Sequence, residues 1–98
     1  MNNMQALVKQ AQAMQKEMVK IKNEIDNTIF TGESSLVTVK VNGKKEIVDV
    51  NVNSSNLDKD DLDMISDMFI VATNSAMKQI DEVTEKKMAK FGNIPGLF

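Results

Sequence analysis

The sequence predicts an α+β fold in a single domain spanning residues 1–98: a long N-terminal helix, a three-stranded antiparallel sheet and a long C-terminal helix. The same pattern leaves apolar surface for a second copy of the chain to cover. Three observations carry this. Apolar residues recur in heptads between residues 4 and 25, valines alternate with polar residues between 37 and 52, and an Asp-rich start at residue 58 opens a helical pattern that closes in lysines.

In the first element Met4, Ala11, Met18 and Ile25 share one heptad position, and Leu7, Met14 and Ile21 share the other. This is the narrow seam of one long helix. Asn2 is its expected N-cap, with Gln5 at the third helical position, and the turn-prone stretch at residues 27–31 ends it. Residues 1–27 therefore read as a helical arm, about 25 residues and roughly 37 Å long at 1.5 Å per residue. A 98-residue chain has no body long enough to cover such a seam. Part of it must pack on another copy or stand free.

Residues 28–53 read as sheet, with strands at 28–33, 36–41 and 46–53. Val37, Val39 and Val41 share one face, as do Val48, Val50 and Val52. A four-residue loop Asn42-Gly43-Lys44-Lys45 sets Val39 opposite Val48 and Val37 opposite Val50, which puts both valine rows on one face of a hairpin. The other face carries Thr38, Lys40, Asp49 and Asn51 with only Leu36 and Ile47, and is expected to be solvated.

Asp58 caps the second helix, residues 58–91, with Asp60, Asp61 and Asp63 in its first turns and Lys86, Lys87 and Lys90 at its end, as the helix dipole favours. Gly92 is the stop, and residues 92–98 form a tail. The seam is Leu62, Ile65, Phe69, Ala72, Ala76, Ile80 and Val83, while residues 68–72 are apolar all round. A helix covered on one side does not tolerate that. One side is therefore expected on the valine face and the other on a partner subunit, with Met68, Phe69, Val71, Ala72 and Ala76 at the dimer interface. Asn74 is expected to face solvent.

Composition narrows the function. Twelve Lys stand against fourteen Asp and Glu, for a net charge of −2, and the chain has no Arg, His, Cys, Trp or Tyr. The usual acid–base catalyst, the thiol nucleophile and the common zinc ligands are missing, so the reading is a non-enzyme without metal, cofactor or small-molecule substrate. The Asp58–Asp63 acids do not make a calcium loop, which needs Gly sixth and Glu twelfth, where Asp63 and Phe69 stand. The longest uncharged run, residues 68–77, is about half of what a bilayer span requires. Residues 1–22 are polar and periodic, unlike a secretory leader, so a cytoplasmic location without membrane association is expected.

Charge is unevenly placed. Residues 1–22 carry +3, residues 23–67 carry −6 and residues 68–98 carry +1. Lys9, Lys16 and Lys20 fall at spacings of seven and four, so they share one stripe of the first helix, with Lys22 off it. Such a stripe is ordinarily a solvated face. Doubled in a dimer it also grips phosphates, which Lys does as a point charge without reading sequence. The DNA-binding candidates are Lys9, Lys16, Lys20 and Lys22, with Lys86, Lys87 and Lys90 secondary. A rival reading is a protein-interaction adaptor that uses the Met-rich seams and the Leu97-Phe98 end without nucleic acid. Salt separates the two, because phosphate binding weakens with ionic strength and apolar association does not.

Over nearly its whole length the sequence resembles the YbaB/EbfC family of bacterial nucleoid-associated DNA-binding proteins. The resemblance rests on residues 1–15, on Thr31-Gly32-Glu33, Val41-Asn42-Gly43-Lys44, Leu57-Asp58-Lys59-Asp60-Asp61 and Val71-Ala72-Thr73-Asn74-Ser75-Ala76, and on the closing Pro95-Gly96-Leu97-Phe98. It implies an intertwined homodimer with protruding helical arms that embrace double-stranded DNA with little sequence preference, located at the nucleoid and affecting its organisation, DNA protection and gene expression. Where many members are glycine-rich before the second strand, this chain has Glu33-Ser34-Ser35, and its glycine-rich tail is short.

Overall fold

A computed structural model of the chain describes residues 3–55 and 57–92. The order of elements is α1 (Asn3–Asp26), β1 (Ile29–Ser34), β2 (Val37–Asn42), β3 (Ile47–Val52) and α2 (Lys59–Met88), continued by a 3-10 turn at Ala89–Phe91. The expected N-cap at Asn2 and the tail beyond Gly92 lie outside the described residues. No described helix is long and apolar enough to cross a membrane.

Each helix ends for a local reason. At the end of α1, the Thr28 hydroxyl donates to the Glu24 carbonyl (2.7 Å) and the Asn27 amide to the Asn23 carbonyl (2.8 Å). These bonds occupy acceptors that a helix terminus leaves without partners. At the start of α2, Asp58 and Asp61 form a reciprocal capping box: the Asp61 N–H donates to the Asp58 carboxylate (2.9 Å) and the Asp58 N–H to that of Asp61 (3.2 Å). Beyond the 3-10 turn the backbone turns at Gly92, with φ of 79°, a conformation open to glycine.

The sheet is antiparallel in the order β1-β2-β3. Val37, Val39 and Val41 are fully buried under α2 together with Phe30, Met68, Ala72, Ala76 and Ile80. Gly32 is what allows this contact. A Cβ there would lie 1.8 Å from the Ala72 carbonyl oxygen and 2.9 Å from the Ala76 nitrogen. Helix and strand backbones thus meet with no side chain between them, and the Gln79 amide pins the contact by donating to the Thr31 carbonyl (2.8 Å). Gly43 does the same for the hairpin tip, since a Cβ there would lie 1.9 Å from the Ile25 carbonyl oxygen.

The β2–β3 register differs from the sequence expectation. Val39 pairs with Val50 and Val37 with Val52, instead of with Val48 and Val50. Two features shift it. Asn42 pairs with Glu46 across a three-residue loop closed by the Asn42 side chain, which accepts from the Lys44 N–H (2.9 Å) and the Glu46 N–H (3.1 Å), while Lys45 takes φ of 65°. Val48 is then an extra residue in a bulge opposite Lys40 and Val41. The bulge also puts Ile47 across from Val41 instead of on the polar face.

The valine face is only partly a core. α2 lies across β1 and β2 and makes at most marginal contact with β3. Val48 and Val50 therefore remain 50% and 45% exposed. On the opposite face Lys40, Asp49 and Asn51 are exposed as expected, whereas Thr38 is half-buried and Leu36 packs against the core.

Two substitutions test these contacts. Gly32→Ala forces α2 off the sheet, and overpacking of about 3 kcal/mol or more corresponds to a Tm lower by about 12 °C or more for a domain of this size. An unchanged Tm would show that the backbones do not meet there. Ser35, in the β1–β2 turn, has φ of 51°. Ser35→Gly removes left-handed strain and is expected to add roughly 0.5–1 kcal/mol, read by chemical denaturation.

Candidate nucleic-acid interface

α1 leaves the body as a rod. Its one fully buried residue is Ile25, while the tip half of its apolar seam is open, with Met4 80% exposed. The described residues span 75 Å along the longest axis against 19 and 16 Å across it. The root of α1 is held by the core, where Ile21 packs against the buried cluster. Further out, Glu17 pairs with Lys90. This places the end of α2 level with the middle of α1, so the stretch of α1 towards Asn3 projects beyond both.

The pairing brings the two lysine groups together. Lys86 and Lys87 lie one helical turn before Lys90, and Lys16 and Lys20 lie within a turn of Glu17. Five lysines from two elements far apart in sequence thus lie within about one helical turn of the Glu17–Lys90 pair along their own helices, and Lys9 continues the stripe towards the tip. All six are exposed. At 100° per residue, Lys9, Lys16 and Lys20 lie about 180° around α1 from the Met4–Leu7–Met14–Met18 seam. Burial of the seam would turn the lysines outward.

The lysines are not equally available. Lys90 is held by Glu17 and sits 5.3 Å from the Phe91 ring centroid. Lys22, whose position falls on the seam side, pairs with Asp26 at 3.3 Å. Among the described residues Lys9, Lys16, Lys20, Lys86 and Lys87 have no carboxylate within 4.0 Å. Lys45, which the sequence reading passed over, pairs with Asp81 at 2.8 Å and ties the hairpin tip to α2. Spacing along the chain carries no signal for that contact.

The residues expected at a dimer interface divide. Met68, Ala72 and Ala76 are buried inside the chain's own core, because the Gly32 contact draws that side of α2 onto β1, and Phe69 packs against the same core. In the single chain Met68, Ala72 and Ala76 thus serve the chain's own core. Val71 stays 55% exposed. It shares a flank of α2 with exposed Met64, seven residues away, and Ile70 stands open on the other flank. Asn74 faces solvent, as expected.

No group of three or more His, Cys, Asp or Glu side chains among the described residues is placed to hold a metal. What the surface offers is a long exposed rod with point charges along it and apolar strips beside it.

Residues 1–94 match the model of the YbaB/EbfC DNA-binding family. The chain is 45% identical to a nucleoid-associated protein of Bacillus licheniformis, over 100% of this chain and 96% of that one. It is 44% identical to one of Streptococcus sanguinis, over 97% and 99% of the two chains. The crystal structure of an uncharacterized protein from Helicobacter pylori has a TM-score of 0.73 at 25% identity, covering 95% of this chain and 99% of that one.

Proposed function

The chain belongs to the YbaB/EbfC DNA-binding family, and from that premise we propose that it is a nucleoid-associated protein acting as a homodimer whose helical arms hold duplex DNA by its phosphates. The observation that carries this reading is the gathering of Lys16, Lys20, Lys86 and Lys87 around one stretch of an exposed arm, with Lys9 beyond. Lysine offers phosphate a compact positive charge and no planar fork for base edges, and the chain has no Arg. Binding is therefore of low sequence preference. A location at the bacterial nucleoid follows, with effects on its organisation, on DNA protection and on gene expression.

The homodimer is supported by apolar surface left uncovered in the single chain. Ile47, Val48 and Val50 along β3, Ile70 and Val71 on α2, and the outer seam of α1 are all exposed. A second copy covers such strips most economically through a self-complementary contact. Of the expected interface residues, Val71 is exposed and Phe69 partly so in the single chain.

The test is affinity for a labelled mixed-sequence duplex across a salt series, with the mass in solution measured alongside. If Lys9, Lys16 and Lys20 of both subunits neutralise about six phosphates, log affinity falls with log salt at a slope near −5. Replacing Lys9, Lys16 and Lys20 together by Gln is expected to weaken binding to unrelated duplexes alike and to flatten that slope, with the dimer intact. Loss of the dimer in that variant would make the lysines structural. Binding indifferent to salt, or none at low salt, would favour a protein-binding adaptor.

A further inference from the structure

Glu17 is the single acid among residues 1–22, and folding places it among lysines. Lys16 and Lys20 are beside it on α1, Lys90 reaches it from the end of α2, and Lys86 and Lys87 lie one turn behind Lys90. Both members of the Glu17–Lys90 pair are about half exposed, at 48% and 56%. A pair so open to water adds little to stability. Its larger consequence is electrostatic: it cancels one of the lysines that the fold gathers there and sets a negative charge where a phosphate would lie.

We propose that Glu17 is an intramolecular competitor of DNA, an autoinhibitory contact in which its carboxylate occupies Lys90 and a backbone phosphate must displace it. This inference rests on the DNA-binding reading above. Phosphate and carboxylate are alternative acceptors for the same ammonium group. The Lys90 Nζ also lies over the Phe91 ring, which keeps the ammonium at the junction in either state. The arm thus holds DNA less tightly than its lysine content allows.

The experiment compares wild-type protein with Glu17→Gln, Lys90→Gln and the double variant on a labelled mixed-sequence duplex across a salt series. Circular dichroism and solution mass establish that each variant is folded and in the wild-type assembly. Freeing one lysine per subunit is expected to tighten Glu17→Gln binding about three- to tenfold near 0.1 M salt and to steepen the slope by about two for a dimer. Lys90→Gln alone removes a candidate lysine and leaves Glu17 unpaired, so it is expected to bind more weakly than wild type. Measured against Lys90→Gln, the double variant is expected to gain less than Glu17→Gln gains against wild type, which separates release of Lys90 from the mere removal of a negative charge; an equal gain in both backgrounds would overturn the proposal.

Equal affinity and slope for wild type and Glu17→Gln would overturn the proposal while leaving the DNA-binding reading standing. Weaker binding by Glu17→Gln would also overturn it, making Glu17 a residue that positions Lys90 for DNA. If neither protein binds the duplex at low salt, both readings fall.

Discussion

The structure depends on one close approach: the backbone of β1 at Gly32 meets the backbone of α2 between Ala72 and Ala76 with no side chain between them. Two alanines on the helix and a missing Cβ on the strand let the layers close until Val37, Val39 and Val41 are sealed from water. The valines and alanines that meet there belong to the chain's one buried cluster among the described residues. The closure also fixes where α2 lies. Because α2 is drawn towards β1, it covers two strands of three, and β3 keeps Ile47, Val48 and Val50 open. The uncovered strand is thus a geometric consequence of the tightest contact in the molecule.

The same placement organises the arm. A second close approach, Gly43 against the Ile25 carbonyl, sets the hairpin tip on the end of α1, and the Lys45–Asp81 pair ties that tip to α2. Root of arm, hairpin and long helix are therefore referenced to one another. The end of α2 then arrives beside the middle of α1, where the Glu17–Lys90 pair joins them. Lysines that the chain keeps some seventy residues apart become neighbours.

This separation of charge lets an acidic chain, of pI near 5.0, belong to a DNA-binding family. Net charge governs long-range behaviour, but at about 0.15 M salt the Debye length is near 8 Å. Over a body 75 Å long, the acids at the start of α2 are screened from the lysines of the arm. Around the Glu17–Lys90 pair, Lys16, Lys20, Lys86, Lys87 and Lys90 outnumber Glu17 and Glu85. The acids at Asp58 and Asp61 are meanwhile engaged in capping their own helix.

Much was legible in the sequence because it depends on local periodicity and capping. The heptads of α1, the valine alternation of β2, the Asp58 cap and the Gly92 stop follow from rules that act over a few residues, and the family resemblance agrees with them. The β3 register was not legible: the Asn42 side chain selects a three-residue loop, and the bulge at Val48 appears only once both strands are in place. Nor could sequence divide Met68, Ala72 and Ala76 from Val71, because an all-apolar stretch of helix does not say which side its own sheet will take. The sequence by itself determined the elements, their ends and the lysine stripe of α1. Tertiary structure decided which apolar faces stay open and which lysines meet, because both depend on how closely two backbones approach, a steric property of residues distant along the chain.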